Sequence, residues 1–474
     1  MTVVTSMSNL SLVEAADAVK AGDVTAGRLT EIALERLDRI GAQINCTIAI
    51  DRESALRAAE QLDKERKSGR LRGSLHGVPL AHKDLFHRSG KVATYGSSIL
   101  RDFKSDKTAT VLDRLDHAGA VNTGSLNLSE FAFSPTGYNK HFGSCRNPWN
   151  TEHVTGGSSS GSGAAVAARL VYGSLGTDSG GSIRHPAAMC GVIGLKTTQT
   201  RVSRAGVMPL SHSLDCVGPV ARTARDCARL LSVIAGSDPA DPSASETMVP
   251  DYEAVLGQSI KGLKIAVPRA YYYDVVSEEV RVLLDDSIAT LKDLGAVVRE
   301  APTADINLIN SLAQLVMSVE AATVHQQWLK TRRDDYADVV RSRIEPGLFI
   351  PATRYSEALA LRSKIARAFL ETSMGDADII HLPAVCIPVP SIRETTEDDP
   401  SVVAKRLGAL THCTRGINFL GLPAISVPAG FTRSGMPMAF QLIGRPFDEA
   451  TLLRVAGAYQ SASDWHQRIP NIAS

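Results

Sequence analysis

The chain has 474 residues, 44% of them hydrophobic and 21% charged, and its 51 basic and 50 acidic side chains leave a net charge of +1. That balance, with no sustained run of either sign, excludes the electrostatic footprint of a nucleic-acid or anionic-membrane binder and points to a small-molecule partner. The opening MTVVTSMSNL lacks the basic and apolar regions of a secretory signal, and no apolar stretch approaches the roughly 18 residues needed to cross a bilayer, so the expected location is the cytoplasm.

Along the chain, Leu29, Ile32, Ala33, Leu37 and Ile40 fall on one helical face and a charged helix follows at 51–69, so residues 1–70 read as an N-terminal helical layer. Residues 71–474 read as the core of the same domain. Short apolar runs at 76–81, 118–122, 170–175, 263–267, 378–388, 423–429 and 438–442 alternate with helical stretches. They predict an α/β fold: one large domain with a mixed central sheet covered by helices on both faces. The cluster GSDPADPSASE at 236–246 is the best boundary candidate and reads as a surface loop. Cys46, Cys145, Cys190, Cys216, Cys227, Cys386 and Cys413 are scattered and never form CxxC, which argues for buried thiols rather than a disulfide framework or a zinc knuckle.

One stretch stands out: TGGSSSGSGAAVAARLVYGSLGTDSGGSIRHPA, residues 155–187. A flexible linker would be flanked by polar sequence, whereas these two Gly-rich turns sit at the ends of a predicted helix beginning near Ala164 and a predicted buried strand at Leu170–Leu175. A Walker-type phosphate loop needs Lys and then Ser or Thr after its closing Gly, and Ser162 and Gly163 follow Gly161. Three nucleophilic readings remain. Gly157, Ser159 and Gly161 match the GxSxG elbow, but the preceding RNPWNTEHVT reads as a loop rather than a strand. TDSGGS contains the DSGG of trypsin-like proteases, with Ser179 attacking, yet the helix-rich pattern contradicts two β-barrels. The third uses a lysine as base.

That lysine is Lys83 in LHGVPLAHKDLF. At the end of the apolar run Val78 to Ala81 it would enter a desolvated site, where burial favours the neutral amine and makes it a general base. The bland alternative is a solvated lysine paired with Asp84. What favours the base is the series Lys83, Ser158, Ser182, with spacings of 75 and 24 residues.

On these motifs the sequence resembles the amidase signature family. LHGVPLAHKDLF is similar to its lysine motif, GGSSSGSGAAVA to its Gly/Ser signature and LGTDSGGSIRHPA to its nucleophile motif, and the likeness continues in GSLNLSEFAFSPTGYNKHFGSCRNPWN, RVSRAGVMPLSHSLDCVGPVART and GLPAISVPAGFTRSGMPMAFQLIGRPFDEATLL. It covers nearly the whole chain and is weakest at 235–375. The resemblance implies Ser182 as nucleophile, Ser158 as a middle serine on a cis peptide bond and Lys83 as terminal base. It further implies backbone N–H groups of Ser179, Gly180, Gly181 and Ser182 around the oxyanion, with Thr177, Asp178 and Arg184 bracing the loop. The implied activity is hydrolysis of a carboxylic amide through an acyl-enzyme, with no cofactor and no metal.

Three positions depart from the family pattern: Ser160 and Thr200 where Gly is usual, and Thr197 where Pro is usual. His82, His87, His153 and His185 crowd the motifs and read as polar packing. For the substrate, the resemblance puts Ala132, Phe133 and Ser134 near the acyl pocket, with a variable substrate side at about 300–420. Phe133 fits an apolar or aromatic acyl group. The rival within the family is the glutaminase component of a tRNA-dependent amidotransferase, in which an aspartate that grips glutamine would fall near Thr411. Thr411 in its place favours a stand-alone amidase. A binding or scaffold homologue without activity is disfavoured because Lys83, Ser158 and Ser182 are all present. The expected partner is therefore a small-molecule amide, with no nucleic acid and no membrane, and a homodimer is left open.

Overall fold

The computed structural model describes residues 7–473, and its strands form two sheets. In the smaller sheet, β1 (Thr47–Ile50) and β2 (Pro79–Lys83) flank β3 (Val121–Leu126), which runs antiparallel to β1 and parallel to β2. The larger sheet contains β4 (Gly173–Asp178), β5 (Ile193–Lys196), β6 (Cys216–Ala221), β7 (Lys264–Val267), β8 (Val297–Glu300), β9 (Ile379–Pro383), β10 (Ala424–Phe431) and β11 (Pro437–Ile443). Its order is β4-β6-β5-β10-β11-β9-β7-β8, antiparallel from β4 to β9 and parallel beyond, so the sheet is mixed as expected.

Successive residues of a strand point to opposite faces. Every residue of β4, β5, β6, β9 and β11 is buried, so both faces of the sheet are covered. Helices Arg184–Cys190, Ala224–Ile234, Glu278–Asp293 and Glu449–Ser461 pack against it. The main apolar cluster draws on Leu12, Leu175, Leu195, Ile265, Val316, Ile425 and Leu452, and thus joins the first helix to the last within one core. All seven cysteines are buried and free. Among the described residues no helix is long and apolar enough to cross a membrane.

Each of the seven apolar runs overlaps a strand, though β2, β3 and β4 begin three residues into their runs and extend beyond them. Four strands escaped that reading. β1 lies within the first seventy residues, which are therefore not purely helical: Thr47 and Ile50 pair with Leu126 and Gly124. β8 is mostly exposed, so it carries no apolar run. β5 has only four residues, and β6, CVGPVA, contains Gly218 and Pro219, which signal a break. Pro219 is tolerated because the ladder to β5 stops at Val220. Gly218 is required because a Cβ there would run into the Leu195 carbonyl of β5.

The two sheets meet where the chemistry lies. Tyr172 N–H donates to the Pro79 carbonyl at 3.3 Å, and Leu175 N–H donates to His82 Nδ1 at 3.1 Å. These bonds set β2 beside β4 and bring the C-terminal ends of both strands together. Gly218→Ala pushes backbone against backbone in the strand between β4 and β5. The expected loss is about 2–3 kcal/mol of stability, read as a lower urea midpoint, with Gly408→Ala, in open space and at an ordinary φ, as the comparison.

Candidate active site

Lys83 is the last residue of β2, and Ser158 sits in the loop that enters helix Ser160–Ala167. Thr177 and Asp178 end β4, and Ser182 lies in the turn between β4 and helix Arg184–Cys190. Ser159 N–H donates to the Ser182 carbonyl at 3.2 Å, tying the two Gly-rich loops to each other. The Gly157–Ser158 peptide bond is cis.

Lys83 is 1% exposed. Its Nζ lies 2.7 Å from Ser158 Oγ and 2.8 Å from Thr177 Oγ1. Burial lowers its pKa to about 7, against the opposing pull of Asp215 and Asp178. The solvated pair with Asp84 does not form: Asp84 Oδ2 instead accepts from Thr94 N–H at 2.9 Å and from the Thr94 hydroxyl, and burial pushes its carboxyl up to about 6. Lys196 is a second fully buried lysine, but its ammonium donates to the carbonyls of Thr197 and Leu422 at 2.8 and 2.7 Å. One lysine ties strands together and the other faces two hydroxyls.

Asp178 and Arg184 hold the turn that carries Ser182. Both are fully buried, and Arg184 Nε and Nη2 each donate to the Asp178 carboxylate at 3.0 Å. The N–H groups of Gly181 and Ile183 add bonds of 2.7 and 3.1 Å to the same carboxylate. Arg184 also reaches Gln441 on β11, the Thr414 carbonyl and Asn418 Oδ1. Burial alone would raise the Asp178 carboxyl, but Arg184, Lys196 and the Gly181 N–H together hold it well below the usual carboxylate range. Gly181 has φ 126°, a conformation closed to other residues without strain. Because its N–H is committed to Asp178, Gly181 drops out of the four-donor oxyanion set expected from sequence. Ser179 Oγ donates to Asp215, and Thr414 Oγ1 donates to the Gly180 carbonyl at 2.8 Å, so the turn is braced on both sides.

A cavity of about 320 Å³ opens beside this turn, lined by Ser179, Gly180 and Ser182 on one side and by Ala132, Phe133 and Ser134 on another. Phe131 and Ala132 both have positive φ, of 48° and 61°, and Phe131 is held by the rings of His325, Trp328 and Tyr336. His185 also lines the cavity; burial and Arg184 lower it to about 4, so it is neutral, and its Nε2 lies 2.9 Å from Thr414 Oγ1. His82 is likewise neutral, lowered by burial to about 3, with its Nδ1 accepting from β4. Arg343 and Arg415 complete the wall. Sequence reasoning missed both, because isolated arginines in polar helical stretches look like any solvated face. It also missed Asn418 and Gln441, which lie in or beside the quoted motif segments but carry no charge to mark them.

The departures from the family pattern have structural accounts. Ser160 Oγ donates to the Asn127 carbonyl at 3.3 Å, and Thr197 Oγ1 donates to the Val217 carbonyl at 3.1 Å. Thr200 has φ 74°, the left-handed conformation that glycine adopts without cost.

The family model for amidases matches residues 28–453, and the chain belongs to that family. It is 38% identical over 493 residues to the A-type subunit of the glutamyl-tRNA(Gln) amidotransferase of Roseiflexus sp., covering 99% of each chain. Among solved structures it superposes with a TM-score of 0.88, at 33% identity, on a chain of a vestigial protein complex described in connection with the origins of an s-triazine catabolic enzyme. The match covers 96% of this chain and 99% of that one. On the native peptide amidase of Stenotrophomonas maltophilia the TM-score is 0.84, at 28% identity, with coverage of 98% and 99%. The protein is an amidase signature hydrolase with the corresponding α/β fold.

These likenesses correct one expectation. Balanced charge and Thr411 favoured a chain whose partner is a small-molecule amide, without nucleic acid or membrane and with a homodimer left open. The relatives are named as subunits of an enzyme acting on a tRNA, and that account of the partners does not stand. Its error was to read a residue inside the cavity as evidence about the surface.

The buried ion pair yields a prediction. Asp178→Asn leaves the Arg184 charge enclosed among neutral partners. It should cost about 3–5 kcal/mol, measured by denaturant unfolding near neutral pH. The contribution is present above the ordinary carboxylate pKa and fades only as pH falls below that range, so the gap between the two proteins should narrow in acid.

Proposed function

We propose that this chain hydrolyses a carboxylic amide through an acyl-enzyme on Ser182, as the amide-cleaving component of a larger assembly. The observation that carries the chemistry is the Lys83 amine, enclosed between two hydroxyls and lowered to about 7 by burial. In this reading neutral Lys83 takes the Ser158 proton while Ser158 takes that of Ser182, whose alkoxide attacks the amide carbonyl. The N–H groups of Ser179, Gly180 and Ser182 bind the oxyanion. Collapse of the tetrahedral intermediate expels the nitrogen as ammonia or amine, protonated through Ser158. Water, deprotonated by the same relay, then releases the carboxylic acid and restores Ser182.

Residues 71–474 carry the reaction, 1–70 form a layer of the same domain, and about 300–420 supply the substrate side. The assembly reading is supported by the names of the relatives, which mark them as subunits, and by the complex from which one similar chain comes. Thr411 bears on which amide is cut, not on whether other chains are present. A cytoplasmic location is supported by seven free buried thiols and by relatives named for a tRNA-dependent enzyme.

A fluorophosphonate should leave its adduct on the peptide containing Ser182. Label on Ser159 or Ser179 would revive the elbow or the DSGG reading. Isolation from the native source should bring further chains with the protein, and a single species would remove the assembly.

Lys83 is the base only when neutral. kcat/KM should therefore rise with pH below about 7 and level off above it, whereas a solvated lysine would keep the rise going toward its ordinary 10.5. Lys83→Ala, Ser158→Ala and the double variant should each lose roughly 10³-fold or more of acylation, by similar amounts, because one relay is broken in all three. Lys83→Met should fold normally. Losses that multiply in the double variant would place the base elsewhere.

A further inference from the structure

The cavity beside Ser182 holds two positive charges and no negative one. Arg343 Nη1 donates to the Phe133 carbonyl at 2.7 Å, which fixes its guanidinium at the cavity wall. Arg415 Nη2 donates to Thr411 Oγ1 at 3.2 Å, and both residues line the same cavity. Among the described residues no aspartate or glutamate lines this cavity. Burial and the nearby Arg415 push Arg343 down to about 10, and burial likewise lowers Arg415. Elsewhere in the molecule half-buried arginines either meet carboxylates, as Arg88 meets Asp116 and Arg229 meets Glu253, or spend their donors on carbonyls, as Arg114 and Arg362 do. Arg343 also borders a cavity lined by Asp338 and Asp398, and Arg415 one lined by Asp274, but within the cavity beside Ser182 neither guanidinium meets an acid among the described residues, and a ligand that brings a counter-charge there is favoured.

We propose that Arg343 and Arg415 are specificity-determining residues that select an amide whose acyl part ends in a carboxylate and carries no ammonium group. The inference rests on the amide-hydrolysis reading of Ser182 and supplies the substrate class it leaves open. A carboxylate matches the planar fork of a guanidinium, and two forks can share one. The cavity lies at the lower end of the roughly 300–1,000 Å³ of small-molecule sites, so the acyl chain is short. Free glutamine fits poorly, since its ammonium would be a third positive charge with no acid to receive it, and Thr411 offers only a hydroxyl. Phe133 contributes to the cavity wall, and its carbonyl accepts from Arg343.

The test is calorimetric binding to the Ser182→Ala full chain, with any chains that co-purify, so that no turnover is needed. Succinamate and glutaramate should bind at least about tenfold more tightly than the neutral diamides succinamide and glutaramide, and than glutamine. Arg415→Leu and Arg343→Leu should each weaken the monoacids by about a hundredfold and erase the preference, with Arg415→Lys restoring part of it. A chain that selects the monoacids but is never acylated at Ser182 in the wild type keeps this inference and loses the reading it rests on. A chain acylated at Ser182 that binds the diamides or glutamine as tightly as the monoacids, or binds no monoacid at millimolar concentration, overturns it.

Discussion

The site depends on one buried ion pair. Asp178 ends β4, Arg184 opens the helix after the turn that carries Ser182, and neither is exposed to water. Between them stand the residues that make the turn, so the length and direction of that turn are set by where the two charges meet. The same carboxylate takes backbone N–H groups from inside the turn, and the same guanidinium reaches β11 and the Thr414–Asn418 segment. A charge pair without water is a weak source of net stability, because desolvation offsets most of the attraction. It is a strong source of geometry, because every alternative arrangement leaves a bare charge. Here that geometry holds Ser182 at the mouth of the cavity.

The same physics acts in the opposite sense on Lys83. Asp178 favours the charged amine, yet burial outweighs it, since no carboxylate bonds to Lys83 directly and its neighbours are hydroxyls. Lys196, just as deeply buried and likewise lowered by burial, faces two carbonyl oxygens, which only a donor can satisfy, and the Cys216 sulfur. The difference lies in what faces the nitrogen. Hydroxyls can give or take a proton, so they tolerate either state of the amine, whereas carbonyls require N–H groups. A base needs the first kind of neighbour and a strut needs the second.

Much of this was legible in the chain. Seven strands announced themselves because a strand covered on both faces is fed or filled by an apolar run, even where, as in β3 and β4, polar residues follow it, and Lys83, Ser158 and Ser182 stood out because small residues cluster where the backbone must turn tightly. What was not legible has physical reasons. β6 hides behind Gly218 and Pro219, residues that break an average strand but fit one crossed closely by the Leu195 carbonyl. β8 is an exposed edge with no periodicity to read. Gly181 looked like an oxyanion donor by position, and only the folded turn shows its N–H directed at Asp178. Arg343 and Arg415 are 72 positions apart in sequence, and nothing in either neighbourhood says that they face one space.

Net charge illustrates the general difficulty. A total of +1 was a sound argument against a polyanion footprint spread over the whole surface, but it averages over the chain. Protein interfaces are about as apolar as the rest of a protein surface and leave no mark on such a total, so balanced charge could not speak about partner chains. Nor could it speak about the cavity. Among the described residues, two guanidiniums and no acid line a cavity of about 320 Å³, which is cationic inside a nearly neutral molecule. Ser182 and any ligand in the cavity respond to that local field. Selectivity among amides is therefore set by charges that the composition of the chain cancels out.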